Sequence, residues 1–206
     1  MYALITDGSI TKMLSGNQGI TLNGNQYPSD IFSKWTAAEK EAIGLYEVVW
    51  DNTNKKDEEW YTNTNASYAF ADGVVTASYG SATARAHADT LFTAQDESDG
   101  LGTEGEVKTR GLKYNRIQTI KRQAAGILQD TDWYIVRKAD AGTAVPSAIT
   151  TYRAAVRSKA AAMETLITNA SNTPAIETLY TYVNTADEGD PVVMERPLGE
   201  FPELGS

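Results

Sequence analysis

Residues Gln123–Met163 read QAAGILQDTDWYIVRKADAGTAVPSAITTYRAAVRSKAAAM, and this stretch joins the end of one predicted helix to two further helices. Its centre carries start and stop signals. Thr131 is a good N-cap, and Asp132 would stand in the first turn, where the helix dipole favours negative charge. Gly142 supplies the left-handed residue that ends many helices. The pattern therefore predicts a short helix over residues 132–141.

Apolar residues at helical spacing predict longer helices on both sides of this short one. The first stripe comprises Tyr114, Ile117, Ile120, Ala124 and Ile127. Pro146 is tolerated in the first turn of the next helix, because it has no amide hydrogen to lose. The second stripe comprises Ile149, Tyr152, Val156, Ala160, Met163 and Ile167, and a last helix is expected after Thr173. An all-helical domain over residues 111–184 follows from these patterns.

Trp133 is expected to be buried between the helix that ends near Leu128 and the helix that carries Tyr152. A tryptophan at the start of a short helix can fill the angle between its two neighbours. If so, Trp133→Ala should cost about 3 to 5 kcal/mol.

The same stretch resembles the tail assembly chaperone and tail-fibre-associated family of tailed bacteriophages. The resemblance covers about Leu112–Ile167 and is carried by an amphipathic helix followed by seven residues in a fixed order. These are Thr131, Asp132, Trp133, Arg137, Tyr152, Arg153 and Arg157. They form the structural and interaction signature that the resemblance implies.

The resemblance implies a non-enzymatic, viral protein of the bacteriophage tail that acts by protein–protein contacts. The first expectation is a structural or adaptor component of the tail fibre or baseplate region, retained in the virion. An alternative is an assembly chaperone absent from the mature virion. Its partners would be other phage tail proteins and further copies of itself, and it would act in the host cytoplasm during assembly and then in the virion tail.

A small β-hairpin-rich domain is predicted over residues 1–82, so the fold class is α+β. Asp7-Gly8, Asn23-Gly24 and Asp72-Gly73 each stand between strand-like segments and favour tight hairpin turns. A fourth hairpin is expected from LYEVVW and EEWYTNT. One short helix should begin at Thr36, with Glu39 as its capping-box partner and Gly44 beyond its last turn.

This domain also suggests a second alternative function, a host-surface carbohydrate-binding module. Aromatic residues could stack on sugar rings, and the candidates are Trp50, Trp60, Tyr61, Tyr68 and Tyr79. Side chains alternate between the two faces of a strand, so about half of these rings should point into the core instead.

Residues 83–110 are expected to be a connector, because DESDGLGTEGEVKTRG is polar and rich in glycine. Residues 185–206 are expected to be an acidic, extended interaction arm outside the globular core, since three prolines prevent a continuous helix. The apolar anchors of the arm would be Val192, Val193, Met194, Leu198, Phe201 and Leu204. Deleting the arm should then leave the melting temperature nearly unchanged.

Charge is distributed unevenly along the chain. The formal charge is −9 over residues 1–104, +5 over residues 105–184 and −5 over residues 185–206. This asymmetry favours contact between the basic helices and an acidic surface of the same chain or of a neighbour. Nucleic acid is not an expected partner, because the basic residues are dispersed and flanked by acidic segments.

Chemistry of other kinds has little support in the sequence. The chain has no cysteine and one histidine, His87, so we expect no catalytic residues and no metal site. GLGTEG at residues 100–105 formally matches a dinucleotide loop, but acidic residues precede it where a buried strand is needed, and no cofactor is expected. No membrane contact is expected, since no run approaches ~18 apolar residues.

Overall fold

The computed structural model describes residues 1–205 and confirms the α+β class, with sheets in the N-terminal part and helices in the C-terminal part. The chain divides into two compact units, of which the first is Met1–Thr83 and the second begins at Ala84. Each unit has its own hydrophobic core.

The first unit contains most of the strands and two short helices. Its elements are β1 (Tyr2–Thr6), β2 (Ser9–Leu14), β3 (Ile20–Leu22), β4 (Asn25–Tyr27), α1 (Ile31–Lys34), α2 (Ala37–Glu41), β5 (Leu45–Asp51), β6 (Tyr61–Thr62), β7 (Ser67–Ala71) and β8 (Val74–Ser78), and β9 (Thr83–Ala84) lies at its end.

Three of the predicted hairpins form as the sequence indicates. They join β1 to β2, β3 to β4 and β7 to β8. At Asp7-Gly8, Asn23-Gly24 and Asp72-Gly73 both turn residues have positive φ angles, between 49° and 83°. This is the mirror-image turn that matches the twist of the flanking strands.

The fourth predicted hairpin is wrong. β5 does not pair with the segment that follows it, but lies between β1, antiparallel to it, and β8, parallel to it. The five-stranded sheet therefore has the order β2-β1-β5-β8-β7. Sequence alternation identifies a strand but not its partner, and here two strands distant in sequence provide both partners of β5.

The sheet separates two apolar clusters in the first unit. One contains the buried residues Ala3, Val48, Val75 and Ala77, and the other contains Ile31, Phe32 and Leu45. The second cluster includes residues of α1. The next helix, α2, has the predicted capping box, because Glu39 N–H donates to the Thr36 hydroxyl and Thr36 N–H donates to the Glu39 carboxylate. Gly44 follows it with a φ of 81°, as expected.

The second unit contains the longer helices and two small hairpins. Its elements are β10 (Thr90–Leu91), α3 (Ala94–Ser98), β11 (Val107–Thr109), α4 (Leu112–Gln129), α5 (Asp132–Ala141), α6 (Ser147–Asn169), α7 (Thr173–Tyr180), β12 (Val183–Asn184) and β13 (Met194–Glu195).

The prediction that residues 83–110 form only a polar connector is wrong. β10 pairs with β11, and α3 lies between them. Thr93 and Asp96 form a capping box at the start of α3, in which aspartate takes the place of the more usual glutamate. Residues 100–105 lead to β11 and not to a helix, so they lack the geometry of a dinucleotide loop.

Asp96 links α3 to Lys108 of β11 through an ion pair, which leads to a prediction about pH. The Lys108 ammonium lies 2.5 Å from its Oδ1 atom and, with the N–H and hydroxyl of Thr93, lowers the pKa of the Asp96 carboxyl to about 2. Because the folded-state pKa is depressed, the stabilisation is present above the unfolded pKa of about 3.9 and is lost as pH falls through about 2.

Titration of the Asp96 carboxyl by NMR should give a midpoint near pH 2. Lys108→Ala should raise that midpoint, and Lys12→Ala, which removes an exposed lysine in β2, should not. An unchanged midpoint in Lys108→Ala would show that the ion pair does not form in solution.

The core of the second unit lies between α4 and α6 and confirms most of the two predicted stripes. Its buried residues are Ile120, Ala124, Val156, Ala160, Met163, Ile167 and Leu198. Tyr114 is the exception in the first stripe, because it is exposed and its ring instead contacts the Arg110 guanidinium at 4.1 Å. The last helix begins at Thr173, with Asn172 as N-cap.

The expectation that residues 185–206 lie outside the globular core is wrong in its second half. Leu198 is fully buried in the helical core, its N–H donates to the Leu179 carbonyl at 3.0 Å, and Phe201 packs against the same core. The proline residues do prevent a helix, but an extended segment can still bury single side chains along a helix pair. Val192, Val193, Met194 and Leu204 remain exposed.

Candidate protein-binding site

The signature residues lie where α4, α5 and α6 meet. α4 ends at Gln129, and Thr131 turns the chain into α5. Gly142, with a φ of 68°, ends α5 as predicted, and Pro146 precedes the first residue of α6. The sequence signals for starting and stopping these helices therefore set the geometry of the site.

Arg153 of α6 connects the three helices. Its Nη1 atom lies 2.8 Å from the Leu128 carbonyl, 2.7 Å from Thr131 Oγ1 and 2.8 Å from Asp132 Oδ1. The Arg153 side chain is only 12% exposed, and Thr131 is 3% exposed. Hydrogen bonds from a charged donor are stronger than neutral ones, so this cluster fixes the angle between α4 and α5.

Thr131 has a different role from the predicted one. Its hydroxyl does not cap α5, but donates to the Leu128 carbonyl at 2.9 Å and accepts from Arg153. A capping bond needs an extended backbone at the N-cap, and Thr131 has a φ of −112° and a ψ of 2°.

The expectation that Trp133 is buried is wrong, because its side chain is 51% exposed. The inward positions of α5 are Thr131, Tyr134 and Arg137, spaced three residues apart, so Trp133 falls on the outer side. Its ring lies under the Arg137 guanidinium, with 4.6 Å between the guanidinium carbon and the ring centroid. The junction is filled by Arg153 in place of the tryptophan.

Two other signature residues have distinct surroundings. Tyr152 is half-buried and packs against the helical core. Arg157 is exposed and lines a cleft of about 430 Å³ between α5 and α6. The cleft is formed by Ile135, Lys138, Ala144, Val145, Thr150, Arg153 and Arg157. We call it the basic cleft.

The basic cleft carries excess positive charge. Of its three cations, Arg153 faces the carboxylate of Asp132, whereas Lys138 and Arg157 form no ion pair among the described residues. Like charges held close together repel, so an anionic group entering the cleft would relieve that repulsion.

Three large apolar side chains of α5, which we call the α5 surface, are exposed, and no side chain of α5 is fully buried. Trp133, Ile135 and Val136 are 51%, 43% and 64% exposed. Large apolar side chains that stay exposed beside charged residues are typical of protein interaction sites. The site residues predicted from the sequence did not include Ile135, Val136 or Lys138. The adjacent apolar pair Ile135-Val136 could have indicated an exposed apolar residue, because two adjacent residues of a helix do not face the same neighbouring helix.

The first unit has a second exposed aromatic group. Trp50 and Tyr68 are both paired with Ala77 across the sheet and so lie on the same face. The Trp50 ring lies 6.3 Å from the ring of Tyr68 and 5.9 Å from that of Tyr79, and it is 41% exposed. Trp60 and Tyr61 are both buried, although they are adjacent in sequence, because Trp60 precedes β6 and strand alternation does not apply to it.

Two further properties concern residues 1–205 only. They contain no group of three or more histidine, cysteine, aspartate and glutamate side chains arranged to hold a metal ion. None of the helices in this range combines the length and apolar character that crossing a bilayer requires.

Comparison with known proteins gives one similarity. Residues 9–102 match the family model described as the tryptophan-rich Synechocystis species C-terminal domain. The match begins in β2 and ends beyond α3, so it covers less than half of the chain and none of the basic cleft. No curated protein and no solved structure gives a significant match.

Proposed function

We propose that the chain is a non-enzymatic bacteriophage tail protein that acts through protein–protein contacts, as a structural or adaptor component of the tail-fibre or baseplate region. The resemblance over Leu112–Ile167 supports the assignment to the tail. The observation that carries the binding role is the Arg153 cluster, which holds α5 in place so that Trp133 and Val136 are exposed.

The composition of this surface fits a binding role. Tryptophan and arginine are enriched among the residues that contribute most to protein interfaces, and Trp133 lies against Arg137 on the surface of α5. Binding at α5 should also have a small entropic cost, because a helix already fixed by charge-assisted hydrogen bonds loses little conformational freedom on binding.

Mass spectrometry of purified particles from a phage that encodes the chain tests the proposal. A structural component should be found in mature particles, at a stoichiometry comparable with other tail proteins. The alternative, an assembly chaperone, should be bound to a tail protein in lysates of infected cells but absent from particles. A chain found in neither sample would contradict the tail assignment.

The contribution of α5 can be measured separately. Trp133→Ala should change the free energy of unfolding by no more than about 1 kcal/mol, because half of the side chain is already in water. Binding to the tail partner, or incorporation into particles, should fall at least about ten-fold. Leu101→Ala, which removes an apolar side chain that is 60% exposed elsewhere in the second unit, should leave binding unchanged. Equal binding by both variants would exclude the α5 surface.

The aromatic group of the first unit supports a second candidate function, recognition of carbohydrate on a host surface. Exposed aromatic rings held by their neighbours can stack on the apolar face of a sugar. Trp50→Ala should abolish binding to host polysaccharide. Val49→Ala is the matched control, because Val49 is 56% exposed but points to the opposite face of the same strand. Wild-type protein that binds no host glycan would exclude this function.

A further inference from the structure

The C-terminal segment presents an exposed hairpin, which we call the acidic hairpin and define as residues 182–195. β12 and β13 pair through Val183 with Glu195 and Asn184 with Met194. The loop between them is ordered by backbone bonds, from Thr185 N–H to the Val193 carbonyl at 2.8 Å and from Asp190 N–H to the Asp187 carbonyl at 3.1 Å.

The acidic hairpin has the features of an interaction surface. Five of its large apolar side chains are at least 46% exposed, and these are Tyr182, Val183, Val192, Val193 and Met194. Its loop carries Asp187, Glu188 and Asp190, none of which forms an ion pair among the described residues. Exposed apolar side chains beside charges of one sign suit a partner of the opposite sign.

The basic cleft offers the opposite charge, and the α5 surface offers exposed apolar area. Lys138 and Arg157 form no ion pair within residues 1–205, and Trp133, Ile135 and Val136 of α5 supply exposed apolar area. One chain therefore carries two surfaces that match in both charge and apolar character.

We propose that the acidic hairpin of one copy binds the basic cleft and α5 surface of a second copy. The contact joins two different patches, so repetition of it produces a ring or an open chain of copies, or a pair in which each copy contributes both patches. This inference goes beyond the proposed function, because it names the occupant of the cleft and is measured on the purified chain alone.

Charge reversal gives a sharp test. The cleft variant is Lys138→Glu with Arg157→Glu, which leaves Arg153 and its bonds intact. The hairpin variant is Asp187→Lys, Glu188→Lys and Asp190→Lys. The turn bond from Asp190 to Asp187 joins backbone atoms, so these substitutions preserve it. The matched control is Lys12→Glu with Arg122→Glu, two exposed cations elsewhere on the chain.

Sedimentation velocity should show that wild-type protein self-associates below about 100 µM at low salt, and that its dissociation constant rises about ten-fold as salt is increased to physiological strength and above. Each reversed variant alone should remain monomeric, since both of its surfaces then carry the same sign. An equimolar mixture of the two variants should associate again. The control should behave as wild type.

Wild-type protein that stays monomeric over this range would overturn the proposal. Association of either reversed variant to the wild-type extent would also overturn it, because another surface would then be responsible. Circular dichroism of both variants must match wild type, and a mixture that fails to associate despite intact folds counts against the pairing. None of these results depends on whether the chain is a tail protein, which particle mass spectrometry decides.

Discussion

Arg153→Ala should lower the free energy of unfolding of the helical unit by about 3 kcal/mol. The substitution removes a charged donor to the Leu128 carbonyl and to Thr131 Oγ1 at a buried junction, and it deletes the ion pair with Asp132. The Leu128 carbonyl keeps the bonds from the N–H and hydroxyl of Thr131. Urea unfolding followed by circular dichroism at 222 nm reports this change, since α4 and α6 provide most of the helical signal.

Arg157→Ala is the matched control for that experiment. It removes an arginine one turn further along α6, but this side chain is exposed and pairs with no acidic residue in the described part of the chain. The change in the free energy of unfolding should therefore stay within about 0.5 kcal/mol. Arg153→Lys should recover part of the loss, because one ammonium cannot reproduce the planar geometry of the guanidinium. Equal stability of Arg153→Ala and Arg157→Ala would contradict the role assigned to the junction.

Leu198→Ala should lower the free energy of unfolding by about 2 to 5 kcal/mol. Leu198 is fully buried in the core formed by α4 and α6, and truncation would leave a cavity in the cluster that also contains Val156 and Met163. Urea unfolding followed by circular dichroism at 222 nm measures this change as well. Deletion of residues 187–206 should be at least as destabilising, which reverses the expectation drawn from the sequence.

Val192→Ala is the control for Leu198→Ala. Both residues belong to the C-terminal segment, but Val192 is 70% exposed, so its truncation should stay within about 0.5 kcal/mol. If Leu198→Ala were as stable as Val192→Ala, the segment would not be part of the core in solution.

The C-terminal segment, predicted as a single arm, divides in the structure into the acidic hairpin and an end that is docked through Leu198. Residues 185–206 have one composition, acidic and interrupted by proline, and composition alone separates ordered from mobile chain poorly. The division into an exposed hairpin and a docked end depends on a neighbouring groove, which is formed by residues distant in sequence. Local pattern holds no information about such a groove.

Local signals determined much of this protein. Residues with special backbone angles fixed the three hairpin turns, Thr36 and Glu39 fixed the start of α2, and Gly142 fixed the end of α5, because each acts within a few residues of itself. Helical periodicity likewise identified the stripe of α6 that forms the core.

Only the tertiary structure decided what these elements meet. It placed β5 between β1 and β8, turned Trp133 outward, and brought Arg153 to the junction instead. A helix of ten residues with apolar side chains on several sides can pack any of these sides against its neighbours. The choice rests on contacts with α4 and α6, whose positions depend on packing across the whole unit and not on the sequence of α5 itself.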